Sequence, residues 1–459
     1  MRTPWSESPW QNVLVYGLGV SGRAAVRFLR RRGVAVLGID DRETAALDLT
    51  EWAGDAGFAA ASAGSTTTLP DDLDGVVLSP GVPPDRPLVA AARRSGLPVI
   101  GEIELAFPFV TGPVAAITGS NGKSTTTALT GAMLQAAGLD VAVCGNIGRP
   151  LIDCLDSPVD VYVAELSSYQ LESTVTFRPQ AAALLNISPD HLDRHGDLAS
   201  YVEAKARLFD QQSESDVAVF NADDPLVVEV AHRGHRARRR FFSRSTKVED
   251  GCYVEDGMVV EVVPGEGDRR LFSSQDVPVP GTHNLENAMA GALLARAMGV
   301  EPDALGAGLA GFVGLPHRVE RVLERAGTVW YDDSKGTNVG ATRKSLEGFA
   351  DASVHLILGG RGKGADLAVL ADVVAPKVQR LYLIGESAGE FERVLGSLVP
   401  VEMAGDLERA VAAAALHAGP GEVVLLSPAC ASFDQYENFM RRGEHFQTLV
   451  RDLPEVAHG

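Results

Sequence analysis

Short apolar runs punctuate this chain. Each is closed by a glycine-rich or polar turn, and most are followed by a helix-forming stretch. Residues 11–16, 34–39, 75–78 and 96–100 read as the strands of a first such unit. Residues 114–117, 141–144, 161–164, 181–185 and 217–220 read as a second, and 329–331, 355–358, 381–384 and 423–426 as a third. Apolar runs of strand length alternating with helices predict doubly wound α/β units. Helices are expected from the first glycine turn to Arg32, from Thr126 to Ala137, from Leu198 to Gln211, and up to Met298. Between Arg233 and Asp276 the texture changes to short β-prone pieces with charges. That segment is expected to be exposed and weakly specified, with the basic run Arg236–Arg240 solvated. A chain of 459 residues predicts about three domains. Boundaries are expected at 1–101, 102–314 and 315–459. The first and last domains are expected to be Rossmann-like, and the central one a P-loop ATPase-like α/β domain.

The central unit carries the strongest local pattern. Thr118-Gly119-Ser120-Asn121-Gly122-Lys123-Ser124-Thr125 follows an apolar strand and opens a helix rich in Ala, Leu and Met. Strand, glycine turn and helix make a phosphate cradle, because backbone N–H groups and the helix N-terminus face the anion. Lys123 supplies a cation for the outer phosphates, and the Ser124 hydroxyl can hold magnesium. Ile117 stands where the usual pattern has glycine, so the cradle is a variant form. Glu165 ends a buried strand beside the cradle, the place of a Walker-B acid, with a surface glutamate as the alternative.

Further candidates sit at neighbouring strand ends. His191, between Asp190 and Asp193, has either a structural role or one with metal or phosphate. Tyr201, Lys205 and Phe209 share one helix face. Lys205 there either snorkels, or is buried with a shifted pKa and does chemistry. Asn146 in Gly-Asn-Ile-Gly contacts a substrate or merely turns. Asn284 and Asn287 stand three apart where a helix starts; one can cap, and the other suggests a base or phosphate contact.

In the first unit, Gly17-Leu18-Gly19-Val20-Ser21-Gly22 with an acid about 20 residues on is a dinucleotide-type fingerprint. It reads a pyrophosphate without fixing the ligand. The turn Ser79-Pro80-Gly81-Val82-Pro83 closes a later strand, either as a ligand loop or as structure. In the third unit, Asp333-Ser334-Lys335, Gly359–Lys363 and Ser427–Asp434 end three strands, where ligands collect in open α/β sheets. Arg318, Lys335 and Lys363 are local cations there.

The charge balance makes such cations matter. A formal net charge of −19 argues against non-specific binding to nucleic acid or anionic membranes. Cys144, Cys154, Cys252 and Cys430 are too scattered for a disulfide framework and read as reduced, cytosolic thiols. The start MRTPWSESPW lacks the make-up of a signal peptide, and no apolar run is long enough to span a bilayer.

These motifs together resemble the Mur ligase family end to end. The shared pattern appears as TGSNGKST, GNIG, ELSSYQLE, NISPDHLDRH, the helix with Lys205, HNLEN, GLPHR, DDSKGTN and GG-x-x-K. LSPACASFDQYENF and the LSPG turn at Leu78–Gly81 are similar to the D-glutamate-adding branch. The resemblance implies an ATP-dependent amide ligase adding D-glutamate to UDP-N-acetylmuramoyl-L-alanine through an acyl phosphate. It implies a cytoplasmic enzyme of peptidoglycan precursor synthesis, serving cell-wall biogenesis, cell shape and division, and expected to be a monomer. It implies ATP contacts by Gly119–Thr125, Asn284, Asn287, Arg318, Asp333 and Lys335. Two magnesium ions would be served by Ser124, Glu165, His191 and a carbamylated Lys205. Thr337, Lys363, Ser432, Phe433 and Phe439 would take D-glutamate, and Asn146 and His191 the muramoyl-alanine end. Gly19, Ser21, Asp40, Arg42 and Ser79 would hold the UDP-linked part. Three other readings stay open: an amide ligase for another amino acid, such as a folylpolyglutamate synthase; a nicotinamide-dependent oxidoreductase; and a nucleotide sensor without turnover.

Overall fold

The computed structural model describes residues 10–64, 68–278, 281–362 and 364–453, except for the side chain of Asp193. Strands and helices alternate through most of the chain, and it divides into two compact units. One comprises residues 1–276 with 287–311, the other 277–286 with 312–459.

The first unit holds two sheets. Strands β1 (Asn12–Tyr16), β2 (Ala35–Asp40), β3 (Phe58–Ser62), β4 (Gly75–Leu78) and β5 (Val99–Gly101) form an all-parallel sheet in the order 3-2-1-4-5. The order reverses between β1 and β4, so a crevice opens at the carboxyl ends of those two strands. The helix Val20–Arg31 starts there, directly after the glycine turn.

The second sheet is built from β6 (Val114–Thr118), β7 (Val141–Gly145), β8 (Val161–Glu165), β9 (Ala181–Leu184), β10 (Val217–Asn221) and β11 (Arg238–Ser243), extended by β12 (Gly251–Glu255), β13 (Met258–Val263) and β14 (Gly267–Ser273). Its order is 14-13-12-11-10-9-6-8-7, and only the pairs 12–13 and 13–14 are antiparallel. The cradle strand β6 lies between β8 and β9, and every residue of these three is buried. Continuous apolar runs fit such a position, since neither face meets water.

Two expectations need correction here. The charged segment after Arg233 is an ordered extension of the sheet. Arg240 is buried in it, paired with Asp250 at 3.0 Å and Glu261 at 2.9 Å, so only part of the basic run is solvated. The helix carrying Lys205 ends as α-helix at Ala206, and a 3-10 turn, Arg207–Phe209, finishes it. Tyr201, Lys205 and Phe209 are nonetheless all buried.

The stretch after β5 does more than lead out of the first sheet. Glu102–Ala106 is a short helix with every residue buried. Glu102 Oε1 accepts the Ile152 N–H at 2.7 Å. Glu104 accepts the N–H groups of Val175 (2.8 Å), Thr176 (2.9 Å) and Phe177 (3.2 Å). With Arg27–Asp153 at 2.8 Å, these bonds join the first sheet to the second.

The second unit holds β15 (Glu320–Arg325), β16 (Thr328–Asp332), β17 (Val354–Gly359), β18 (Val378–Ile384), β19 (Val401–Gly405) and β20 (Val423–Leu426) in the order 15-16-20-17-18-19. Only β15 runs antiparallel to its neighbour. The four cysteines are free and buried. Among the described residues no helix is long and apolar enough to cross a membrane.

Candidate active site

The cradle is laced to the strand beside it. Ser120 N–H donates to Asn186 O at 2.9 Å, and Asn121 N–H to Asn186 Oδ1 at 2.8 Å. Ser120 Oγ donates to Ser188 O and accepts the Ser188 N–H, both at 2.9 Å, and lies 3.1 Å from the Tyr201 hydroxyl. Gly122 has a φ of +84°, and a Cβ there would come within 2.2 Å of Asn287 Oδ1. That oxygen also accepts a hydrogen bond from Thr126 Oγ1 at 3.2 Å. The fold thus requires glycine at the turn into the helix Lys123–Ala136.

Two lysines meet at one carbonyl. Lys123 Nζ donates to Gly119 O and Ser120 O at 2.9 Å each, and Lys205 Nζ donates to the same Gly119 O at 2.8 Å. Lys205 is 1% exposed and lies 4.5 Å from the Tyr201 ring centre. Burial holds its pKa well below the ordinary lysine value, the Lys123 charge adds to this, and Asp190 and Glu165 oppose it. The choice left open between a snorkelling and a buried lysine is settled as buried.

Glu165 closes the cluster. Its Oε1 accepts Asn146 Nδ2 at 2.8 Å, while Oε2 is buried with no hydrogen-bond partner. A buried, unpartnered carboxylate oxygen costs free energy unless a cation or donor meets it. With the buried Ser124 hydroxyl on the same cradle, the oxygen donors fit a hard divalent cation such as magnesium. His191 stands at the N-terminus of a short helix with φ +56°, its Nε2 3.5 Å from Asp190 Oδ2 and its ring 5.0 Å from Tyr169. Thr125 is buried in the helix's first turn. Asn284 and Asn287 are buried within the helix Thr282–Ala297, past its first residue, so neither is the cap the sequence suggested.

The first sheet's crevice is held by its own side chains. Ser79 Oγ donates to Gly17 O at 2.6 Å, which makes the turn after β4 a structural support for the glycine turn. A Cβ on Gly22 would lie 1.7 Å from Gly17 O. Gly19 is exposed with open space above it, and Ser21 is in the first turn of the helix that follows. Asp40 is buried and accepts the Leu18 N–H at 2.7 Å and three bonds from Arg42. Burial pushes its carboxyl up, yet the bonds from Arg42 and Leu18 prevail and hold it at about 2.

In the second unit three strand-end loops are tied together. Arg442, 1% exposed, donates to Ser334 O at 2.8 Å and to Cys430 O at 3.2 Å. Arg361 and Ala431 exchange backbone bonds at 2.9 and 3.0 Å. Asp333 accepts the hydroxyls of Ser345 and Ser427 at 2.7 Å each. Burial raises its carboxyl to about 6, against those two bonds and the Arg318 charge. Lys335 Nζ lies 4.0 Å from the Phe439 ring centre, and its N–H donates to His317 O at 3.1 Å. Thr337 N–H donates to Lys335 O at 2.8 Å. Ser432 is buried, whereas Phe433 is 63% exposed. Lys363 lies outside the described residues.

Sequence reasoning missed Asn186, His317 and Arg442 as supports. His317 Nδ1 lies 2.7 Å from Asp332 Oδ2, a pairing across 15 residues. Asn186 directly follows a strand on the cradle's side, the one signal that was available. Arg442 sits in a plain Arg-Arg pair on a surface-like helix, and nothing local marks it as buried.

Family models match the chain in three stretches. "Mur ligase MurD-like, N-terminal domain" covers residues 11–101, "Mur ligase middle domain" 117–295, and "Mur ligase, glutamate ligase domain" 317–430. The UDP-N-acetylmuramoylalanine–D-glutamate ligase of Acidobacterium capsulatum is 43% identical over 445 residues, covering 96% of each chain. That of Geotalea uraniireducens is 44% identical over 452 residues, covering 97% of this chain and 98% of the relative. The MurF ligase of Thermotoga maritima, solved in complex with ADP, superposes with a TM-score of 0.60 at 18% identity, over 97% of this chain and 96% of that one. This last likeness is one of fold.

Proposed function

The chain belongs to the Mur ligase family, and from that premise we propose that it joins D-glutamate to UDP-N-acetylmuramoyl-L-alanine with cleavage of ATP. The whole-length identity to D-glutamate ligases carries this reading. The cluster of Lys123 with the buried Glu165 and Lys205 supports it. The domains are divided at 101 and 314.

A carboxylate is a poor acyl donor, because its oxygen does not leave. The alanine carboxylate of the substrate attacks the γ-phosphorus of ATP, ADP departs, and an acyl phosphate forms. The D-glutamate amine then attacks the acyl carbon; phosphate leaves, the amine loses a proton, and the amide remains. Lys123 offsets charge on the transferring phosphoryl group, a task of position and electrostatics. Ser124 and Glu165 would hold a first magnesium, and His191 with Lys205 a second. Magnesium, when bound, supplies Lewis-acid charge neutralisation at the phosphates. Burial and the Lys123 charge lower the pKa of Lys205, which favours the amine form that can add carbon dioxide, and the carbamate would be an acid facing the metal. Asn146 holds Glu165 in place. Asn284, Asn287, Arg318, Asp333 and Lys335 contact the nucleotide. Thr337, Lys363, Ser432 and Phe439 bind D-glutamate. Exposed Phe433 forms the rim of that pocket. The enzyme works as a cytoplasmic monomer in cell-wall synthesis, and through it in cell shape and division.

The test supplies UDP-N-acetylmuramoyl-L-alanine, ATP and magnesium with D-glutamate, L-alanine, L-lysine or diaminopimelate in separate reactions. Phosphate release and product mass are read. One phosphate per amide product is expected with D-glutamate alone. Turnover with another amino acid, or none at all, would remove the assignment.

A further inference from the structure

Two histidines stand four apart in NISPDHLDRH, and the reaction above uses only His191. His195 ends the short helix Leu192–His195, and its side chain is 2% exposed. Both ring nitrogens have partners. Nε2 lies 3.0 Å from Ser168 Oγ, and Nδ1 lies 3.2 Å from Glu172 Oε1. Ser168 starts the short helix Ser168–Leu171, and Glu172 follows it. The imidazole is therefore pinned at two points to the segment just beyond Glu165, and two points in its plane fix how the ring lies.

The ring so fixed meets two tyrosines. Tyr169 lies nearly parallel to it, at 27° with ring centres 5.5 Å apart, and Tyr201 meets it edge-on, at 61° and 5.2 Å. These are the separations of aromatic rings in contact. Each tyrosine in turn walls one member of the cluster. The Tyr201 ring centre is 4.5 Å from Lys205 Nζ, and its hydroxyl is 3.1 Å from Ser120 Oγ in the cradle. The Tyr169 ring is 5.0 Å from the His191 ring, with the Arg194 guanidinium 4.8 Å away. Lys205 and His191 belong to different segments: one lies near the end of the helix Leu198–Ala206, and the other precedes the helix Leu192–His195. One buried ring touches the walls of both.

We propose that His195 is a positioning residue: by bracing Tyr201 and Tyr169 together it holds Lys205 and His191 in place for the second magnesium. The proposal rests on the ligase reading given above. His195 transfers no proton in it and touches no substrate; the ring acts by its shape and its two anchors. Groups that stand behind metal ligands change metal affinity by about tenfold to a hundredfold when they are lost.

Manganese binding to the full chain tests it, with Mn2+ as the probe, electron paramagnetic resonance as the measurement and a non-hydrolysable ATP analogue present. Wild type is expected to take two ions. His195→Gln keeps a polar partner for Ser168 and removes the ring. It is expected to weaken the second ion about tenfold or more, and to leave the first ion and the nucleotide unchanged. His195→Phe, which keeps a ring between the tyrosines, should recover most of that loss. Ser168→Ala removes one anchor and should weaken the second ion about threefold, the scale of one hydrogen bond; it decides the matter if His195→Gln does not fold. Val230→Ala, a buried truncation on another helix of the same unit, should lower the thermal midpoint and keep both ions. In turnover, His195→Gln should need more magnesium for half-maximal rate at an unchanged KM for ATP. Wild-type affinity for the second ion in His195→Gln, or in Ser168→Ala where that variant decides, overturns the proposal. So does a wild type that forms the amide with a single ion. An equal loss in Val230→Ala would reduce the effect to general loosening, and an equal loss in His195→Phe would rule out the ring; each overturns it too. A wild type that forms no amide removes the ligase reading, and this proposal with it.

Discussion

Lys205 shows how the surroundings of a single residue, burial first and the Lys123 charge second, lower its pKa. A lysine on a stripe with two aromatics was legible as unusual, and Glu165 was legible because it closes an apolar strand beside the cradle. Glu102 and Glu104 were read only as an exit segment, because the N–H groups that hold them lie 50 and 71–73 residues away. If Lys205 acts as a carbamate, Lys205→Ala should lose about a hundredfold or more in kcat, the scale of a lost electrostatic group. Acetate or another short carboxylate should restore part of it. Full activity of the variant without any added acid would refute the role.

At the scale of elements, strand and helix existence was legible from apolar runs, while ends and extensions were not. The helix after Leu198 stops at Ala206, although apolar spacing continues through Phe209, because a 3-10 turn takes over. The strands from Arg238 to Ser273 escaped because their charges are absorbed by partners across the sheet, as Arg240 is by Glu261. The cradle turn makes a sharper expectation. Gly122→Ala would force a Cβ against Asn287 at a φ of +84°. Strain of about 1–3 kcal/mol is expected in a thermal unfolding midpoint. ADP titration should show a loss of about tenfold or more, because the misplaced N–H groups are the cradle itself. Wild-type ADP affinity in this variant would mean that the turn does not hold the nucleotide.

Across the whole molecule, three α/β sheets were legible from the recurrence of strand–turn–helix units, but the seam between the first two was not. Glu102 lies in that seam, and burial, opposed by the Ile152 N–H, raises its carboxyl to about 7. The unfolded chain releases this proton near pH 4.5, while the folded chain holds it to about 7. Stability from this group is therefore present below pH 4.5 and lost as the pH rises to 7, up to about 3 kcal/mol. Glu102→Gln keeps an acceptor for Ile152 and removes the charge. Its urea midpoint should gain on wild type as the pH rises from 4.5 to 7 and hold that gain at pH 8. Parallel curves would show that Glu102 does not titrate there. The placing of the cradle strand in the interior of the nine-stranded sheet has a further consequence, for inhibitors. A compound anchored on Glu165 Oε2 would press on a buried residue held by Asn146, where few substitutions leave a working fold and drug resistance should be slow to arise.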